Sequence, residues 1–197
     1  MYTLLLDSSE QLLSVGIARN GDLLYEHSFS AWQRQSEYMV PEIQKALEQV
    51  KISLKEIQRI AFGIGPGSYT GVRIPLTIAK TIHTMNGAEL IPISSLKIMG
   101  TMKEKYISLM NARSGRSYIG IYDQGKTVLE DRIIENSKII ECIAPYVDQG
   151  FVMRGDLDYL EGQLTVRNDV LEGLLSYSLV ENPDPNPKGI RPVYLKD

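Results

Sequence analysis

TLLLDSSEQLLSVGIARNGDLLYE, residues 3–26, and ISLMNARSGRSYIGIYDQGKTVLE, residues 107–130, align without a gap. Leu5 meets Leu109, Gly16 meets Gly120, Ile17 meets Ile121, Gly21 meets Gly125, Glu26 meets Glu130, and Asp7 falls on Asn111. Each copy reads strand, polar turn, strand, glycine turn, strand. Five identities in 24 positions carry little alone. The coincidence of both turns carries more, because turn residues answer to backbone geometry. In the first copy Asn20-Gly21 lies between apolar runs, the signature of a type I′ hairpin, whose central residues both need positive φ. The period is too long for a solenoid and predicts two similar lobes, residues 1–100 and a smaller 101–197.

Working outward, residues 36–50 space Val40, Ile43, Leu47 and Val50 as a helix does, with Pro41 blurring its start. Ser53 and Glu56 form a capping-box pattern. RIAFGI (59–64) and ELIPI (89–93) read as strands, and 72–85 as a helix closed by Asn86-Gly87. In the second half, 134–147 predicts a helix with Asn136 as a cap and Ile139, Ile140 and Ile143 on one side. Residues 151–156 predict a strand, 168–180 a last helix, and 181–189 a proline-rich arm, extended or loose.

Two α/β lobes that each open with strand, acid or amide, and hairpin resemble the actin-like and hexokinase-like (ASKHA) duplicated fold. There, opposed turns grip nucleotide phosphates through backbone N–H groups and small hydroxyl residues. On that resemblance Asp7, Ser8, Ser9 and Asn111 are candidate nucleotide-binding residues. They read as vestigial, because an amide at 111 lacks the charge that could hold a hydrated Mg²⁺.

The totals narrow the function. A net charge of −3 over 197 residues argues against a strongly basic nucleic-acid binder and leaves room only for a local basic patch. The single cysteine, Cys142, forms no intrachain disulfide, which fits a reducing cytosol. It sits in an apolar helical stretch and reads as a buried thiol rather than a nucleophile. No run reaches about 18 apolar residues, so no membrane span is expected. MYTLLLDSSE has no basic leader, so no signal peptide is expected. The two histidines, His27 and His83, are far apart and show no local metal spacing. Neither a metal nor a cofactor is expected.

GIGPGSYTGVRI (63–74) is neither a dinucleotide fingerprint nor a P-loop, since its glycine spacing and the missing Gly-Lys-Ser/Thr exclude both. It reads as a strand-to-helix turn with Ser68 or Thr70 capping. The following helix is more informative. Val72, Leu76, Ala79 and Ile82 form one apolar stripe, and Ile74, Ile78 and Met85 a second. A surface helix needs only one. Either the helix is fully buried or the second stripe is a subunit interface, with Gly67, Ser68 and Gly71 letting another backbone approach.

GPGSYTGVRI also resembles the GPGSFTGLRIG signature of the TsaB family. These are accessory subunits of the bacterial machinery that attaches threonylcarbamoyl to adenosine 37 of tRNAs reading ANN codons. MYTLLLDSS, SEYMVPEI, NARSGRSYIGIY and RPVYLKD resemble that family's start, first helix, DARRGEVYxxxY segment and PxYLR tail. The resemblance spans nearly the whole chain. It implies the two-lobed fold, lost catalysis, a cytoplasmic location and partnership with a TsaD-type catalytic subunit and a TsaE-type ATPase. It also implies a homodimer when alone, and tRNA met only through the complex. Where the related enzyme carries an HxxxH metal pair, this chain has Ser94-Ser95-Leu96-Lys97-Ile98-Met99. The implied interface comprises Met39, Ile43, Gly67, Ser68, Gly71, Arg73, Ile74, Ile78 and Met85. Pro75 stands where the family usually has glycine, and Asn111 where it has aspartate. Arg73 reads as a partner contact or a solvated helix charge, and Glu37 as a first-turn acid favourable to the helix dipole. Arg113 and Arg116 are a weak RNA signal, and the role of Trp32 is open. The rival reading is an ATP-dependent carbamoyl or phosphoryl transferase of the same fold. A third is a self-sufficient homodimer with a separate binding role.

Overall fold

The computed structural model describes residues 1–155, 157–160 and 170–195. Asp156, the first two residues of the expected 168–180 helix, and Lys196-Asp197 of the tail lie outside the described residues.

The first sheet is built from β1 (Tyr2–Asp7), β2 (Leu12–Arg19), β3 (Asp22–Ser30), β4 (Ile57–Gly63) and β5 (Glu89–Ile93), in the order β3-β2-β1-β4-β5. β1 pairs antiparallel with β2 and parallel with β4, and β4 pairs parallel with β5. Asn20 and Gly21 both take positive φ, 54° and 98°, as the hairpin required. Between β3 and β4 runs α1 (Gln35–Val50), with Pro41 inside it. Between β4 and β5 runs α2 (Arg73–Asn86), ended by Gly87 in the left-handed region. At Ser53 the Glu56 carboxylate accepts from the backbone N–H at 2.8 Å and from the hydroxyl at 3.1 Å.

The second sheet repeats the first. β6 (Lys105–Arg113), β7 (Arg116–Asp123), β8 (Lys126–Glu135) and β9 (Val152–Arg154) lie in the order β8-β7-β6-β9, with β6 and β9 parallel. Gln124-Gly125 again has positive φ at both residues, 47° and 83°. α3 (Ile139–Val147) covers one face of this sheet, burying Ile139 and Ile143 against Ile107, Leu109, Ile119 and Ile121. Two expectations change here. Ile140 is 75% exposed, because successive helical residues turn by about 100°. Asn136 opens a short 3₁₀ turn ahead of α3 and accepts from the Ser117 hydroxyl instead of capping. Cys142 is half-buried beside Arg132.

Both faces of the first sheet are covered. α1 and α2 pack on one, around Leu4, Leu6, Ile17, Met39, Ile60 and Phe62. The other face receives α4 (Val170–Ser178), through Leu171, Leu174 and Tyr177 against Leu5, Ala61, Ile91 and Ile98. The chain therefore returns to its first lobe, and a boundary at residue 100 does not follow the packing. The arm is not loose either. Asp184 N–H donates to Leu90 O, Lys80 Nζ donates to the carbonyls of Lys188 and Ile190, Ile190 is buried, and Val193 N–H donates to Ile64 O.

The lobes meet over Leu96, Met99, Tyr106, Met110 and Tyr122. Across this seam the Ser94 hydroxyl donates to Asp131, which also accepts from the Tyr122 hydroxyl of its own sheet, and the Tyr106 hydroxyl donates to Lys97 O at 2.6 Å. Tyr177 adds a 2.6 Å hydroxyl contact to Tyr106. Tyr177→Phe leaves Tyr106 with Lys97 O as partner, so it is expected to lower stability by about 1 kcal/mol. Urea denaturation at neutral pH measures this, and an unchanged midpoint would show the pair to be worth nothing.

Candidate functional site

The first turn lies at the end of β1, where a phosphate would be held, and the chain's own glycine segment fills it. Ser8 Oγ donates to Gly71 O at 2.8 Å, and Ser68 N–H donates to Ser9 O at 2.7 Å. Ser9 donates through its N–H and its hydroxyl to Asp7 Oδ2, at 3.2 and 3.0 Å. Asp7, Ser8 and Ser9 are buried, so the donors that a nucleotide phosphate needs are committed. Asp7 Oδ1 is buried without a hydrogen-bond partner. Burial pushes the Asp7 carboxyl up to about 6, with the Ser9 bonds pulling the other way. A second anion beside it would raise the cost further, so a nucleotide phosphate does not fit.

Strand register also corrects the pairing of Asp7 with Asn111. Asp7 lies opposite Ser14 on β2, and the residue opposite Tyr118 on β7 is Met110. Ser14 and Tyr118 correspond in the repeat, so Met110 occupies the place of Asp7. Asn111 stands one position later, where an irregularity between Asn111 and Arg113 shifts the pairing. It is exposed, and its Oδ1 accepts from the Arg113 N–H at 2.8 Å.

The small residues of the glycine segment also do something other than expected. A Cβ on Gly71 would lie 2.0 Å from Ser8 O, and one on Gly67 2.5 Å from Ser9 O. The backbone they admit is the chain's own first turn, so their role as an entry for a partner backbone is withdrawn. Ser68 Oγ accepts from the Gly71 N–H at 3.3 Å, stiffening the turn ahead of α2, which has no side-chain cap of its own.

The second place of interest is the outer face of α1 and α2. The inner stripe, Val72, Leu76, Ala79 and Ile82, is buried. The outer stripe is not. Ile74 and Ile78 are half-buried and Met85 is 69% exposed. An open apolar groove of about 410 Å³ runs between the helices, lined by Val40, Ile43, Leu47, Ile78 and Met85 among others. Thr81 and Thr84 send their hydroxyls back to the carbonyls of Thr77 and Lys80, at 2.9 and 2.8 Å. Their polar atoms are satisfied within the helix, so covering them costs little. Met39 is fully buried in the core and offers nothing to a partner. Ile43 is 5% exposed and forms the groove floor. At the head of α2, Arg73 is exposed, 3.8 Å over the Tyr69 ring, with its Nε donating to the Tyr194 hydroxyl at 2.7 Å. Glu37 pairs with Arg34 at 2.8 Å.

Among the described residues, no group of three or more His, Cys, Asp or Glu side chains is placed to hold a metal ion, and no helix is long and apolar enough to cross a membrane. Against this geometry, the family model described as TsaD, tRNA N6-adenosine threonylcarbamoyltransferase, matches residues 30–147. A Bacillus subtilis relative, named tRNA threonylcarbamoyladenosine biosynthesis protein TsaB, is 26% identical over 71% of this chain and 62% of its own length. The chain belongs to the TsaD family, and within it to TsaB. An uncharacterized Mycoplasma genitalium protein is 28% identical over 100% of this chain and 95% of its own. The structure of YeaZ from Pseudomonas aeruginosa superposes with a TM-score of 0.81 at 24% identity, over 98% of this chain and 99% of that one. That superposition shows the fold, with its two sheets in the same arrangement. The matches span a little under two thirds of the length of the TsaB relatives.

For this TsaB-family chain, sequence reasoning missed Val40 and Leu47 as groove residues, although their helical spacing was visible. It also missed the Tyr69–Arg73–Tyr194 stack, which joins residues 121 positions apart and has no local signal.

Proposed function

We propose that this chain is a non-catalytic accessory subunit of the machinery that makes N6-threonylcarbamoyladenosine at position 37 of tRNA. Its work is to hold a TsaD-type catalytic subunit against the outer face of α1 and α2 and to help form the docking site of a TsaE-type ATPase. Alone, it pairs with a second copy through the same face, in the cytoplasm. The observation that carries this reading is the open apolar groove between α1 and α2, where Val40 and Met85 stay largely exposed beside Ile74 and Ile78, which are only partly covered by the core. The filled first turn and the Met110 register speak against the rival transferase. The names of the TsaB relatives supply the pathway.

The test is light scattering after size exclusion, on the chain alone and mixed with the cognate TsaD-type subunit. Wild type is expected to form a 1:1 heterodimer. Ile78→Glu and Met85→Glu, both folded by circular dichroism, are expected to weaken it at least about 100-fold, because each buries an unpaired carboxylate. Met85 is largely exposed, so its variant separates binding from folding. A wild type that stays apart from that subunit, or variants that bind as wild type does, would overturn the assignment.

A further inference from the structure

A second cleft, of about 480 Å³, opens between the lobes above the filled turn. Its floor reaches the glycine segment at Ser68 and Thr70 and the first turn at Ser9, whose N–H and hydroxyl are already committed to Asp7. Trp32 and Tyr69, 42% and 62% exposed, line it together with half-buried Tyr118. Exposed aromatic rings in a cleft are costly to leave bare and present flat, sequence-tolerant faces for stacking. The rings are held in place. Ala31 N–H donates to Gln11 O at 3.1 Å and the Gln35 amide to Glu10 O at 3.2 Å, which tie the Trp32 turn to the β1–β2 connection. Arg73 and the stacked Tyr194 ring hold Tyr69. Arg113 lies on the cleft wall, exposed, with a guanidinium that has no partner among the described residues.

We propose that this cleft takes an unpaired RNA nucleotide, with its base stacked on the Trp32 and Tyr69 rings and its phosphate on the Arg113 guanidinium. A stacked base with one phosphate is common to free nucleotides and to single strands. The chain favours the strand, because the phosphate turn below is occupied and one unpaired guanidinium matches one backbone phosphate rather than a triphosphate. A duplex keeps its bases stacked inward and cannot offer a face. That the polymer is RNA rests on the tRNA-modification reading above. The stacking site itself does not. The proposal replaces the expectation that RNA is met only through a partner.

The chain holds a single tryptophan, so its fluorescence reports this cleft directly. Titration of the full chain with single-stranded hexa-adenylate RNA is expected to quench Trp32 saturably. A blunt RNA duplex is expected not to, and AMP should bind at least about tenfold more weakly. Tyr69→Ala is expected to weaken hexamer binding about tenfold or more. Arg113→Gln is expected to reduce the slope of log affinity against log salt by about 0.7. Both side chains are exposed, so neither variant threatens folding. No quenching by the hexamer, equal quenching by the duplex, AMP binding as tight as the hexamer, or variants identical to wild type would each overturn the proposal. None of these outcomes touches the heterodimer measurement, so the two readings fail separately.

Discussion

Gly71→Ala is expected to lower stability by about 3 kcal/mol, at the upper end of what overpacking costs. The added Cβ would lie 2.0 Å from Ser8 O and 3.1 Å from Ser68 Cβ. Ser8 cannot step aside cheaply. Its hydroxyl donates back to Gly71 O, and its neighbour Ser9 is fixed by the Ser68 N–H and by Asp7. Relief requires lifting the whole glycine segment off the first turn, which breaks these bonds together and exposes buried Asp7. Gly87→Ala is the control. That residue meets nothing within 4 Å but holds a φ of +76°, so its cost is backbone strain alone, about 1 kcal/mol. Urea midpoints for both variants measure the difference. Equal midpoints would show that the turn and the glycine segment are not in contact in solution.

Asp7→Asn is expected to raise stability by about 3 kcal/mol at pH 7 and to change it little near pH 3.5. The wild-type carboxyl rises from its ordinary 3.8 to about 6 in the fold, chiefly through burial, and that rise corresponds to about 3 kcal/mol. The native state therefore holds this proton more tightly than the unfolded chain does. The resulting stability is fully present below pH 3.8 and is lost as pH rises through about 6. An amide carries no charge to desolvate and can still accept from Ser9. The difference between variant and wild type should grow between about pH 4 and pH 6 and then level off. Denaturation at about pH 3.5, 5 and 7 reads it. A difference that is constant with pH, or that shrinks as pH rises, would mean that Asp7 is solvated or paired.

Much of the architecture was legible because it depends on local rules. Asn20-Gly21 announced its hairpin through the positive φ that its turn requires. The two stripes on 72–85 announced a helix that is either fully buried or covered on its second side by a partner. The repeat announced two lobes. What escaped were quantities that no local pattern carries. The ungapped repeat put Asn111 on Asp7, but pairing across a sheet is decided by the turn and by irregularities such as the one between Asn111 and Arg113. One residue of slip exchanges the faces, so Met110 stands where the acid would be. Three of the five identities lie on β2 and β3 and a fourth, Gly21, in the turn between them, where the turns of the two copies do agree, and only Leu5 with Leu109 is misleading.

By itself, the sequence determined the α/β class, the duplicated strand-and-turn order and the family, since periodicity, turn chemistry and a specific motif all act within a few residues. The tertiary structure alone decided where the surfaces are. It buried Met39, opened the groove at Val40 and Met85, folded the glycine segment onto Ser8 and Ser9, and returned α4 and the arm to the first lobe. It also set Trp32, Tyr69 and Arg113 around one cleft. Those outcomes depend on which side chains from distant segments exclude water together, and burial is a property of the packed chain rather than of any stretch within it.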